Sequence, residues 1–397
     1  MKKVFFSFIT ALAAASLALG GVAAWLTGTM PDYDPLLGND SYNEKIQGEW
    51  LVEAAAKAPE TLTIYGSSEL RTQNISTHPA NFFSENNFGF QINLVGRGSC
   101  QSLIHALSIA ASGAALRGTK VALITSPQSF IAGGITPDMF MANFSEQQYL
   151  DILADKNIPE DIKARFSVRI SELMGEYSVV TGKTSHELSA AALSAKYFDN
   201  PAMSALLAPY SAATLALAGL KDMAYVRKLI ESTELSAPES AALITEIDWG
   251  KAEIDAASTA ERLTDNNDFG ILNDYYTTYI GRKLEQQKNK DVLLSYSVSE
   301  EYDDLRLLFD VCKAVGVEPL FIHVPLHGDW SDFTGFTAEK RTEYYENVRK
   351  IVNEYGIKML DLSRFEYEKY FLCDIMHLGW KGWLEVDKAL VGFYYER

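Results

Sequence analysis

Five short apolar runs punctuate the chain: LTIY (62–65), FQINLVG (90–96), KVALITSP (120–127), EPLFIHVP (318–325) and GIKMLDL (356–362). Rich in β-branched residues and edged by Gly or Pro, they read as buried strands. Between them, SLIHALSIAAS and YDDLRLLFDVCKAV place apolar residues at helical spacing. Strands alternating with helices at these distances predict βαβ units around a parallel sheet, so the fold class is α/β.

Three segments depart from this alternation. From about 140 to 290, Ala, Leu and Glu recur at helical period without a convincing strand, which predicts a helical insertion. At the N-terminus, Lys2 and Lys3 precede 23 uncharged residues, Val4 to Leu26. As a helix rising ~1.5 Å per residue, that run spans a bilayer core. Cations before it favour an N-in orientation and put the remainder outside the cytoplasm. A cleaved signal peptide is the competing reading, with Ala23 and Ala24 as small residues for a protease. The run exceeds the ~7–15 residues of a signal h-region, which favours a retained single-pass anchor. The expected organisation is an anchor (1–30), a tether with an amphipathic helix (31–60) and an extracellular domain (61–397) carrying the insertion. The third departure, PAMSALLAPYSAATLALAGL (201–220), is also uncharged. With Pro209 inside it and charged helical sequence on both sides, it is expected to form buried soluble helices.

Composition narrows the function classes. With 35 Lys and Arg against 52 Asp and Glu, the net charge is -17. Nucleic-acid binding is excluded on that balance, because counterion release needs clustered cations facing phosphates. Three cysteines, Cys100, Cys312 and Cys373, imply no disulfide framework and no zinc site. His323 and His327 flank Pro325, so they do not share one regular helix as a pair of zinc ligands would; they read as pocket lining. No metal or cofactor is expected.

In open α/β sheets ligands bind beyond the carboxyl ends of the strands. There the chain places Gly66-Ser67-Ser68-Glu69, Gly96-Arg97-Gly98-Ser99 and Ser126-Pro127-Gln128, and DIMHLGWKGW supplies Asp374 and His377 near the C-terminus. A hydroxyl nucleophile needs a base within hydrogen-bond reach and a third group to orient that base. Asp374 and His377, three apart, project to one side of a turn. Amides after Gly66 and at Gly98 are suited to an oxyanion. On spacing alone, Ser67 and Ser68 both remain candidates, and a capping Asp beside a surface His is the plain alternative.

GSSEL, GRGSCQSLIHAL, SPQSF, NDFGILNDYYTTYIGRKL, PLFIHVPLHGDWSDFTG and DIMHLGWKGW, in this order, resemble the blocks of the DltD family, D-alanyl-lipoteichoic acid biosynthesis proteins of Gram-positive bacteria. The likeness runs from the anchor to the last helix and is weakest from 140 to 260. It implies an SGNH-hydrolase-like fold, whose first block ends in the nucleophile. Carried over, Ser68 is the nucleophile, Ser67 stands in the usual Asp position, His377 is the base and Asp374 its orienter. Gly98 fits the oxyanion donor of the second block. Gln128 stands where the third block has Asn. The resemblance further implies transfer of D-alanine to teichoic acid outside the membrane. The partners it implies are the membrane O-acyltransferase DltB, the peptide DltX and the carrier protein DltC. A membrane-anchored esterase or thioesterase, and a non-catalytic scaffold, are the alternatives.

Overall fold

In the computed structural model the five apolar runs pair side by side as β1 (Thr61–Tyr65), β2 (Gln91–Val95), β3 (Lys120–Thr125), β4 (Glu318–His323) and β5 (Lys358–Asp361). Every pairing is parallel and the order is β2-β1-β3-β4-β5. The structure describes residues 2–71, 74–182, 201–234, 243–244 and 246–396, with the side chains at 2–9, 11, 12, 201, 203, 204 and 207 outside that description. Part of the helical section expected from 140 to 290 therefore lies outside the described residues.

The principal helices are α1 (Lys2–Thr29), α2 (Trp50–Lys57), α3 (Ser102–Ala111), α4 (Glu146–Ala154), α5 (Pro201–Ser232), α6 (Trp249–Leu263), α7 (Glu301–Val315), α8 (Ala338–Tyr355) and α9 (Trp380–Tyr395). Side chains alternate along each strand, and because both faces are covered both sets are apolar. Val121 and Leu123 face a core built with α2, α3, α7 and α8. Ala122 and Ile124 face a second core with α6 and α9. The chain steps outward from β1 to β2 and then returns to place β3 on the other side of β1. The crevice at this reversal, past the carboxyl end of β1, is where such sheets hold ligands.

Residues 31–60, expected as a tether with an amphipathic helix, lie against the sheet edge. Asp34 caps a short turn at Pro35–Asn39, and a Cβ on Gly38 would sit 1.9 Å from the Ile92 carbonyl oxygen of β2. Fully buried Lys45 donates to the carbonyls of Leu37 at 2.7 Å, Gly38 at 3.2 Å and Asp40 at 2.6 Å. Burial lowers its pKa to about 7.

The uncharged run at 201–220 differs from expectation. It belongs to one continuous helix, α5, that passes through Pro209. None of its described residues before Asp222 is buried. Absence of charge suggested a core position, but the fold covers this part of the helix on one side only, where Leu215 packs partly buried against the larger core. The C-terminal part docks more fully: Val226 joins Leu37 and Leu51 in a small core, and Asp222 accepts from the amides of Glu49 at 2.9 Å and Trp50 at 3.0 Å, which caps α2. Among the described residues no helix is long and apolar enough to cross a membrane; the side chains of the first turns of α1 and α5 are outside that set.

Candidate active site

Ser68 opens a short 3-10 turn immediately after β1. Its Oγ lies 2.8 Å from His377 Nε2, and His377 Nδ1 lies 2.7 Å from Asp374 Oδ2. The second oxygen of Asp374 accepts from the amides of Met376 and His377, each at 2.8 Å. One carboxylate thus closes the turn and fixes the ring, leaving the imidazole nitrogen nearest Ser68 as the proton acceptor. Burial alone would depress the His377 pKa, but the Asp374 hydrogen bond and charge, aided by Glu69, raise it. With 16% of its side chain exposed, the ring remains accessible from outside.

The turn carrying these groups is seated by its flanks. Trp380 and Trp383 open α9 fully buried, and Thr77 Oγ1 donates to Trp380 O at 2.7 Å. A Cβ on Gly382 would lie 2.3 Å from Phe371 O, so only glycine lets the helix approach the turn this closely. On the far side, Leu272 N donates to Cys373 O at 2.8 Å, and His327 Nε2 sits 3.0 Å from Phe269 O in the same loop. His323 is enclosed by Tyr344 and Tyr345, with ring centres 5.4 and 5.5 Å away.

The loop after β2 meets Ser68 directly. Gly96 has φ +150, and a Cβ there would lie 1.7 Å from Gly66 O. At this point the two strand-end loops meet backbone to backbone. A Cβ on Gly98 would be 4.0 Å from the Ser68 Cβ, so the backbone at Gly98 passes close to Ser68. Gln128 is half-buried in the turn after β3 (Pro127–Phe130). In that turn Ser129 donates to Gln101.

Three supporting residues were not anticipated. Glu69 is 3% exposed and accepts from the Ser67 amide at 2.6 Å and from Ser126 Oγ at 3.3 Å, which ties the loop after β1 to the loop after β3. Burial raises its pKa. Asn143 donates to Gly98 O at 3.1 Å and accepts from Arg97 Nε at 2.7 Å. Ser41 donates to Gly96 O, and Arg71 donates back to Ser41 O at 3.1 Å. GSSEL displays Glu69 openly in the sequence; Asn143 and Ser41 carry no local signal, because each acts across a long sequence gap.

Arg71, Arg97 and Lys381, which flank these motifs in sequence, are engaged in internal bonding. Arg97 also donates to Asn43 Oδ1 at 2.6 Å, and Lys381 pairs with Glu368 at 2.5 Å and Glu253 at 3.7 Å.

The family model described as "DltD protein" matches residues 38–395. "Protein DltD" of Bacillus subtilis (strain 168) is 35% identical over 400 residues, covering 99% of this chain and 98% of that protein. "Protein DltD" of Staphylococcus aureus (strain NCTC 8325 / PS 47) is 26% identical over 378 residues, covering 93% and 90%. The protein of the same description from Lacticaseibacillus rhamnosus is 27% identical over 354 residues, covering 88% and 80%.

Proposed function

The chain belongs to the DltD protein family, and we propose from this that it takes part in the D-alanylation of teichoic acid as a serine acyltransferase with an SGNH-hydrolase-like fold. The observation that carries the reading is the Ser68–His377–Asp374 relay, with contacts of 2.8 and 2.7 Å at the carboxyl end of β1. Ser68 Oγ attacks the D-alanyl carbonyl while His377 takes its proton. Charge developing on the carbonyl oxygen meets the amides of Ser68 and Gly98, with Gln128 as a candidate third contributor; one such donor is worth ~10²–10³ in rate. Collapse expels the donor's leaving group, which receives the proton from His377, and leaves an acyl-serine. A polymer hydroxyl then attacks the acyl carbon as His377 removes its proton; collapse breaks the bond to Ser68 Oγ, and His377 returns the proton to that oxygen.

The reading includes α1 as a single-pass membrane anchor that holds the rest of the chain on the extracellular side. It is supported by the 23 uncharged residues from Val4 to Leu26, by one helix of 28 residues, and by exposed Leu17, Val22 and Trp25. Teichoic acid as acceptor, and DltB, DltX and DltC as partners, come from the family resemblance. The test is labelling by a fluorophosphonate probe followed by peptide mapping. Modification at Ser68 that requires His377 is expected; labelling elsewhere, or none, would leave the scaffold reading. Rapid hydrolysis of small esters, with no transfer to teichoic acid, would favour an anchored esterase.

A further inference from the structure

α5 is the largest feature that this function does not use. From Pro201 to Leu220 it has no charged residue, which as a helix amounts to ~30 Å, the thickness of a bilayer's hydrocarbon core. Leu206 is 72% exposed, Leu217 51% and Tyr210 39%. A helix apolar on all sides is stable only where something apolar surrounds it, and contiguous exposed apolar surface of this kind marks an interaction site.

The position of α1 indicates what that surrounding is. Leu19, Gly20 and Ala23 of α1 line a common groove with Leu215, Ala216 and Gly219 of α5, whose other wall is the folded domain at Trp50, Glu53 and Gln147. One to two turns further along both helices, the Arg227 guanidinium lies 4.7 Å from the Trp25 ring centre and donates to Thr29 Oγ1. The helices therefore run side by side in the same direction. Their uncharged runs occupy the same level, and charge returns to both at the same end: Lys221, Asp222 and Arg227 on α5 stand level with the close of the α1 run at Leu26. One side of α5 meets the folded domain from Leu215 on, and Asp222 and Val226 complete the docking.

We propose that the exposed face of the N-terminal part of α5, residues 201 to 220, is seated in the hydrocarbon of the lipid bilayer alongside α1, so that the domain meets the membrane at two places. This rests on the reading of α1 as an anchor. A single anchor leaves the domain free to swivel, whereas a second seat fixes the height and direction of the Ser68 crevice above the lipid surface, where an acyl donor held in the membrane must reach it.

The test uses the full-length chain in lipid nanodiscs with no other protein. Leu206→Cys, Leu217→Cys, Leu17→Cys and Ile254→Cys are each labelled with an environment-sensitive fluorophore. Native Cys100, Cys312 and Cys373 are buried, and the unsubstituted chain gives their background. Ile254, 70% exposed on α6, reports water. Labels at 206 and 217 are expected to be quenched severalfold more by nitroxide-bearing lipids than the label at 254, and to be shielded from iodide, like the label at 17. Iodide access at 206 and 217 equal to that at 254, with 17 still in lipid, would overturn this inference and leave the anchor standing. Iodide access at 17 as well would overturn the anchor and this inference with it. Shielding at 206 and 217 that appears only when membrane proteins are added would make the occupant a protein and overturn the lipid seat.

Discussion

At the scale of single residues, the two serines of GSSEL are separated by what they touch. Ser68 Oγ meets the imidazole, whereas Ser67 Oγ makes only a 3.4 Å contact to Arg97 O. Ser68→Ala should reduce D-alanine on teichoic acid to background in cells at matched protein level, and Ser67→Ala should leave most of it. The opposite result would reverse the roles. Asp374→Asn should cost about 10³-fold or more in acylation rate, because the ring loses its orienting acceptor. The base must be neutral, so a rate limited by chemistry should fall as pH drops through the His377 pKa, at a value above the ~6.5 of a free histidine. Glu69 adds to that elevation, and its two oxygens accept from the Ser67 amide and from Ser126 Oγ. In Glu69→Gln the acid limb should move to lower pH. A uniform loss of rate with an unmoved limb would reduce Glu69 to a purely structural clamp.

At the scale of elements, the loops that bear Ser68 and Gly98 are held by segments outside the proposed relay. Asn143 pins the Gly98 peptide from outside the sheet. Its loss forfeits one to two kcal/mol of fixing hydrogen bonds, so Asn143→Ala should slow probe labelling of Ser68 by about 5- to 30-fold. An unchanged labelling rate would show that the loop holds itself. Lys45→Met should lower the thermal midpoint, since removing the cation deprives three carbonyls of their donor at a cost on the order of 2 kcal/mol or more. These supports mark the limit of what sequence reading reaches. The strands were legible, because LTIY, KVALIT and their counterparts must be apolar on both faces of a covered parallel sheet. The meeting of Ser68 with His377, 309 residues apart, was legible only through the likeness of whole blocks. Asn143, Ser41 and Lys45 were not, because a polar side chain reaching a distant carbonyl leaves no periodicity. The run at 201–220 misled for a related reason. Freedom from charge specifies an apolar surrounding without saying whether protein or lipid provides it.

At the scale of the whole molecule, a net charge of -17 has to be reconciled with a polyanionic acceptor. Lys381 is paired with Glu368 and Glu253, and Arg97, bonded to neutral groups, keeps its charge, but against the net -17 long-range attraction does little to bring a polyanion in. On the proposed reading of α1 as an anchor, position in the membrane is the means of raising encounter, and it gives the last prediction. A chain beginning at residue 31 should keep its fold by circular dichroism, because the sheet, both cores and Lys45 with its three carbonyls lie beyond the cut. Probe labelling at Ser68 should be close to that of the full chain. Transfer of D-alanine to teichoic acid, measured at equal low concentration in membranes containing the partner proteins, should be slower, since tethering replaces a dilute encounter by an effective concentration that reaches ~mM. The α5 seat would preserve part of that advantage, so Leu206→Lys with Leu217→Lys in the shortened chain should remove the residue of it while Ser68 labelling persists. If the shortened chain and its lysine variant both transfer as fast as the full chain, neither helix localises the enzyme, and a freely diffusing esterase becomes the better account of the same triad.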